Sequence, residues 1–290
     1  MELLQTSLVL GVVVGIVYSL SGAGLVVIFR TSGYISFAQG DIAAVGLFVG
    51  LAAHNAGAGY LWTALLVILV STVVGGLVGT LITVPLERHG HLVAALSTIG
   101  TALIINGLLN VTVGGDPRAF PELSKAAAIT VSDIRLSWSD LAGLIASSCV
   151  FIGLGLFFRR SRMGIAMRAV NDNKFAGQIL GIPDKRLKLV SWVVAGSLSG
   201  LLGLFVAPIL SLSPVSVNAL LVFGFCAIVI GGFDSIFGAL VAGIGIGVVT
   251  NLTSAYIDPN LVPTVLWALM LLVLLVRPNG LFGRRQLVRV

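Results

Sequence analysis

Nine runs of apolar residues, parted by polar or charged breaks, set the pattern of the chain. They lie near residues 7–29, 35–53, 61–84, 92–113, 139–158, 189–210, 217–232, 236–256 and 262–276. About 20 apolar residues in a helix match a hydrocarbon core of about 30 Å. The runs therefore predict transmembrane α-helices, and their pattern is not the short alternation of a membrane β-barrel. The Gly-rich pair at 217–256 admits two readings, because Gly231 and Gly232 interrupt it. It is either two continuous spans or includes a re-entrant or broken segment. The expected fold is all-α: one polytopic membrane domain over 1–290 with about eight to nine transmembrane segments.

Two connections are long. Residues 114–138 are polar at the start and mixed later, and residues 159–188 are densely charged. Within the second, "RAVNDNKFAGQILGIPDKRLK" at 168–188 carries Arg168, Asp172, Lys174, Asp184, Lys185, Arg186 and Lys188. Gly164 precedes a helix-compatible run from Ile165 to Leu180. Gly181 then stops it and Pro183 follows, a helix C-terminal signature. Ile165, Ala169, Ala176 and Ile179 recur at helical spacing with Asp172 on the same face, while Arg168, Asn171 and Gln178 lie on the other. This predicts a short amphipathic helix over 165–181. Physics alone leaves two uses open: lying on anionic headgroups, or docking in a groove of a soluble partner.

Composition agrees with the spans. The chain is 57% hydrophobic and 10% charged, with a mean hydropathy of +1.09. A soluble domain carries about 25% charged residues, so this one has too little polar surface to cover its apolar residues in water. The net charge of +6 does not point to nucleic acid, because the basic residues sit at span ends and form no aromatic-rich face. The opening MELLQTS lacks the basic region and cleavage site of a signal peptide, so the first run reads as the first span. Cys149 and Cys226 both fall inside spans, which suggests neither a disulfide framework nor a metal cluster.

Charge sets an expected orientation. With the N-terminus outside, one set of loops holds 14 Lys and Arg, from Arg30 through Arg289, and the other holds only Arg118, Lys125 and Arg135. The positive-inside rule then makes the first set, and the C-terminus, cytoplasmic. An odd span count satisfies this; eight spans require a re-entrant segment.

Polar residues inside the spans are the candidates for chemistry. Asp41 follows Gln39 and Gly40 at the start of the second run. A carboxylate at mid-membrane costs roughly 2.5–3.5 kcal/mol on insertion scales. Three readings compete: an interfacial charge, a buried group at a helix contact or break, or a residue touching a path through the membrane. Gly40 permits a broken helix, which favours the latter two. Asn106 and Asn110 are four apart and share a helix face, for interhelical bonding or for lining a path. Gln39, Asp41, Asn106 and Asn110 are therefore the candidate path residues. Gly11/Gly15, Gly75/Gly79, Gly196/Gly200 and Gly243/Gly247 have the spacing of close helix packing, within the chain or at a subunit interface. His89 and His91 flank Gly90 without further ligands nearby, so no metal site is expected. No Gly-x-x-x-x-Gly-Lys-Ser/Thr phosphate loop and no nucleophile, base and acid constellation at sensible depth marks an enzyme.

Four segments resemble one family in the right order. "SRMGIAMRAVNDNKFAGQILGIPDKRLKLVSWVVAGSLSGLLG" from 161 resembles the cytoplasmic loop of ABC importer permeases for branched-chain amino acids, the first of the two permease subunits in those systems. "GYISFAQGD" at 33–41, "VIGGFDSIFGALVAG" at 229–243 and "RPNGLFGR" at 277–284 resemble further signatures of that family. The chain departs from the pattern at Asp234, where the family usually has Gly. This charge is cheap in a turn at the cytoplasmic surface and costly in a re-entrant one.

The resemblance implies partners and a division of labour. A second permease subunit shares the pore, two ATP-binding subunits dock beneath, and a solute-binding protein delivers substrate at the outer face. The helix at 165–181 becomes the element the ATPases grip, with Arg168, Ala169, Asp172, Ala176, Gly181 and Ile182 as coupling residues. ATP and Mg belong to the partners, and this chain binds no cofactor and is no enzyme. The place is the inner membrane of a prokaryote, and the cargo a branched-chain or hydrophobic amino acid. Two alternatives remain: a permease for urea or short-chain amides, and an ion-coupled secondary transporter with Asp41 as its proton or sodium site.

Overall fold

A computed structural model describes residues 2–124, 127–131, 134–172, 177, 179, 181–214 and 218–283. Among these residues, ten longer helices carry the architecture. They are α1 (Glu2–Ser32), α2 (Gln39–Asn55), α3 (Tyr60–Leu77), α4 (His91–Val113), α5 (Trp138–Arg160), α6 (Arg162–Asp172), α7 (Asp184–Leu210), α8 (Asn218–Gly231), α9 (Ile236–Tyr256) and α10 (Val262–Val276). Helix α3 continues through a π-helical turn, Val78–Thr83, to a 3-10 turn at Glu87–His89. Seven of the helical segments are long and apolar enough to cross a membrane. The protein is a polytopic helical membrane protein.

The bundle has two ends. One gathers most of the Lys and Arg, and there Lys188 meets Glu87, Tyr34 meets His91, and Arg30 reaches the Asp234 carbonyl. The other holds a two-stranded antiparallel hairpin, β1 (Ala127–Val131) and β2 (Ile134–Ser137), which an all-α expectation did not include. Its polar connection leads into α5 through a reciprocal cap. The Ser137 hydroxyl accepts from the Asp140 amide at 3.1 Å, and the Asp140 carboxylate accepts from the Ser137 amide at 3.0 Å.

Two spans are interrupted, and neither break lies at Gly231–Gly232. That pair makes a tight turn at the basic end, with Gly232 at φ +104° between α8 and α9. The first break is residues 33–38. Gly33, at φ +76°, stops α1, and the chain re-enters the bundle as non-helical backbone until Gln39 starts α2. The depth is fixed by contacts. The Phe37 amide donates to Thr98 Oγ1 at 3.0 Å, and the Gln39 side chain lies against Gly24, eight residues or about 12 Å of helix from Ser32. The second break follows α7 at the hairpin end. Leu212 exchanges two backbone hydrogen bonds with Arg118, at 2.8 and 2.9 Å, and Leu212 and Ser213 are buried. Irregular backbone at membrane depth survives where protein covers it and bonds its polar groups, as Thr98 does for Phe37 and Arg118 for Leu212.

The two halves mirror each other. Helix α1 packs mainly on α9, and α7, running oppositely, packs mainly on α3. Likewise α2 pairs with α3 as α8 does with α9, and α1 touches α8 as α7 touches α2. Each half thus consists of a long helix, a break, a shorter helix and a further long helix, in opposite senses. An inverted repeat of this kind is common in transporters, and no repeat is visible in the residues themselves.

Small residues allow the long helices to approach. A Cβ on Gly15 would stand 2.7 Å from the Gly243 carbonyl oxygen, and one on Gly11 would stand 2.7 Å from Val248 Cα. In the mirror contact, Cβ atoms on Gly75 and Gly200 would stand 2.9 Å from the Trp192 carbonyl and from Ser71 Cβ. The Gly pairs therefore serve packing inside the chain.

Candidate functional site

Helix α2 begins inside the bundle, so its first turn presents residues at depth. Gln39 and Asp41 are 3% and 4% exposed. The Asp41 carboxylate faces α4, where Asn106 Nδ2 stands 3.4 Å from Asp41 Oδ1, a long hydrogen bond. The same Nδ2 donates to the Pro214 carbonyl at 3.0 Å. Asn110, one turn further along α4, donates to both the backbone and side-chain oxygens of Asn106 at 2.9 Å. Three of the four sequence candidates, Asp41, Asn106 and Asn110, thus join one hydrogen-bonded chain. Gln39 does not join it; its amide atoms are buried against α1 without a hydrogen-bond partner.

Nothing in the residue pattern pointed to the Pro214 carbonyl, which belongs to the second break. Asn106 therefore ties the start of α2 to the lead-in of α8. Phe37 and Phe225, whose ring centroids are 6.3 Å apart, pair the same two segments nearer the basic end. Thr98, which holds the Phe37 amide, is eight residues or about 12 Å of helix from Asn106. The centre thus has a polar station with an aromatic pair on its basic-end side.

At the basic end, the short helix α6 packs on α5 and α1. The Ser161 hydroxyl accepts from the Gly164 amide at 2.9 Å and starts the helix. Gly164 has no room for a Cβ, because the Phe157 carbonyl and Phe158 crowd it. Gly164, Met167, Val170 and Gly177 are buried, whereas Ile165, Ala169 and Ile179 are exposed. The face that anchors the segment is thus offset from the apolar face read in the sequence, and the latter points away from the bundle. Arg168 is also exposed, Asp172 closes α6, and Ala176 lies outside the described residues. Gly181 is at φ +69°, and the Ile182 amide donates to the Gly177 carbonyl at 3.1 Å, the closing bond of a Schellman motif. Pro183 then leads directly into α7.

The first turns of α7 are locked to α3. Lys188 Nζ bridges Glu87 at 2.8 Å and Asp184 at 2.5 Å, and the Lys188 and Glu87 side chains are 5% and 6% exposed. A cavity of about 330 Å³ lies alongside, lined by Thr80, Arg88 and Lys185 among others. Trp192, one turn on, packs against Gly79 within the π-helical turn. The sequence reading missed this cluster because Glu87 and Lys188 are 101 residues apart.

Two of the resembling segments meet in space. The Leu281 and Phe282 amides donate to the Ile230 and Gly231 carbonyls at 2.8 and 3.1 Å, so the C-terminal segment clasps the α8–α9 turn. Asp234 sits half-exposed in that turn, at the basic end, and Arg30 Nε donates to its carbonyl at 2.9 Å. Among the described residues, no three His, Cys, Asp or Glu side chains gather as metal ligands.

Residues 7–275 match the family described as "Branched-chain amino acid transport system / permease component". The high-affinity branched-chain amino acid permease LivH of Salmonella typhimurium is 27% identical over 97% of this chain and 96% of its own. BraD of Pseudomonas aeruginosa is 25% identical over 98% and 97%. LivM of Escherichia coli is 26% identical over 91% of this chain and 67% of its own. No solved structure matches the chain.

Proposed function

The chain belongs to the branched-chain amino acid transport permease family, and from that premise we propose that it is the first permease subunit of a binding-protein-dependent ABC importer for branched-chain amino acids. The family match over residues 7–275 carries this reading. A second permease, two ATP-binding subunits and a solute-binding protein complete the machine. The similarity to both LivH and LivM is what related permease partners would give. ATP and Mg act on the ATP-binding subunits, and this chain converts their movement into opening of a path.

In this reading the basic end is cytoplasmic and the N-terminus lies outside, in the inner membrane of a prokaryote. The seven long helices cross the membrane. Helices α2 and α8, each following one of the two breaks, complete two further crossings, for nine in all. The 162–181 segment docks on an ATPase through its outward face, with Ile165, Ala169 and Ile179 as apolar contacts and Arg168 beside them. Gly181, Ile182 and Pro183 pass that movement to α7, and the Lys188–Glu87 bridge passes it to α3. The path runs past Asp41, Asn106 and Asn110, and Phe37 and Phe225 close it toward the cytoplasm.

Reconstitution tests the proposal. The chain, drawn gently from its native membrane, is expected to bring two ATP-binding subunits, a second permease and a binding protein. In proteoliposomes this assembly should accumulate leucine only with ATP. Recovery of the chain alone, or uptake driven by an ion gradient without ATP, removes the importer reading.

A further inference from the structure

We propose that the Asp41 carboxylate and the Pro214 carbonyl form a seat for the α-ammonium group of the transported amino acid, and that the Asn106 amide is the group the ammonium displaces. The inference rests on the importer reading. Its starting point is the convergence of two acceptors from separate interrupted segments on one nitrogen. Asn106 Nδ2 stands 3.0 Å from the Pro214 oxygen and 3.4 Å from Asp41 Oδ1. One nitrogen carrying protons, between a carboxylate and a carbonyl, is the arrangement a primary ammonium would take.

The present occupant is a weak partner for Asp41. Its hydrogen bond is long, and a neutral amide brings no charge to a carboxylate that is 4% exposed. Asn106 is the side chain that bonds the Asp41 carboxylate among the described residues. A buried carboxylate gains most from a charged donor, because charge-assisted hydrogen bonds are about twice as strong as neutral ones. An ammonium brings three donors and a full positive charge, so it can satisfy Asp41 and the Pro214 carbonyl together.

The approach is polar as well. Asn110 is exposed on α4, and Leu103, two turns back on its own side of the helix, is exposed as well. An exposed amide on that side belongs to a water-filled or partner-lined surface rather than to lipid. Asn110 is bonded to Asn106, so the amide pair leads from the outward reach of α4 to the seat. Once displaced, Asn106 Nδ2 is free to donate to the substrate's carboxylate. The same residues thus receive both ends of a zwitterion.

The experiment uses the complete transporter in proteoliposomes with internal ATP and binding protein loaded with labelled leucine. Asp41→Asn keeps the size and one acceptor oxygen but removes the charge, and Asp41→Glu keeps the charge. We expect D41N to lower leucine uptake at least tenfold while the subunits still co-purify in wild-type ratio, and D41E to restore a third or more of the wild-type rate. Wild-type uptake by D41N overturns the seat. So does loss of subunit assembly in D41N, which would make Asp41 a structural group, and so does a D41E that is as inactive as D41N. If the wild-type complex itself fails to take up leucine with ATP, the importer reading falls and this inference falls with it.

Discussion

Lys188 is the residue whose surroundings make the sharpest demand. A lysine 4% exposed in an apolar bundle requires a partner, and Glu87 supplies it at 2.8 Å from the far end of α3. Removing one member of a buried pair leaves the other charge uncompensated, which costs about 3–5 kcal/mol. Asp184 stays on Lys188 when Glu87 is removed, so Glu87→Ala is expected to lower stability by less than that, about 1–3 kcal/mol, read as thermal unfolding of the detergent-solubilised protein. Replacing both, as Glu87→Leu with Lys188→Met, should recover most of the loss, since an apolar pair of similar volume is often neutral. If the double variant is as unstable as the single one, packing rather than charge holds this contact. Asp184 is the second partner, nearer at 2.5 Å but 31% exposed and so more open to water than Glu87.

At the scale of elements, α6 tests how a helix with two apolar faces divides its work. Met167 and Val170 face inward and hold α6 to the bundle, while Ile165 on α6 and Ile179 beyond it are 47% and 71% exposed. An outward apolar face on a cytoplasmic helix is expected to be covered by a partner. The double variant Ile165→Asp with Ile179→Asp should insert normally but lose the ATP-binding subunits on co-purification, and ATP-driven uptake with them. Retained assembly and uptake would remove α6 as the docking element. The amphipathic pattern was legible in the sequence, but it pointed to the 165, 169 and 179 face alone. The inward face was hidden, because Gly164 and Gly177 contribute close approach rather than apolar bulk.

At the scale of the whole molecule, the inverted arrangement fixes which segments lie at which end. The expected orientation places Lys185 in the cytoplasm and Asp116 outside, and both are exposed. In a background where Cys149 and Cys226 are replaced by Ala, Asp116→Cys should react with a membrane-impermeant thiol reagent on intact cells. Lys185→Cys should react only after the cells are opened. The reverse pattern would invert the topology and place α6 on the wrong side for an ATPase.

Apolar run length and the Lys and Arg distribution were enough to establish a polytopic membrane protein, because crossing a bilayer imposes length and hydrophobicity on each span separately. The Gly pairs likewise announced close packing, although not that Gly15 meets Gly243 or that Gly200 meets Ser71. Local turn chemistry was readable at Gly181. Only the tertiary structure showed that the breaks fall at 33–38 and after α7, that Asn106 joins them, and that Lys188 belongs with Glu87. Those are contacts between distant parts of the chain, and hydrophobicity along a sequence records how much of each segment must be buried but not what it is buried against.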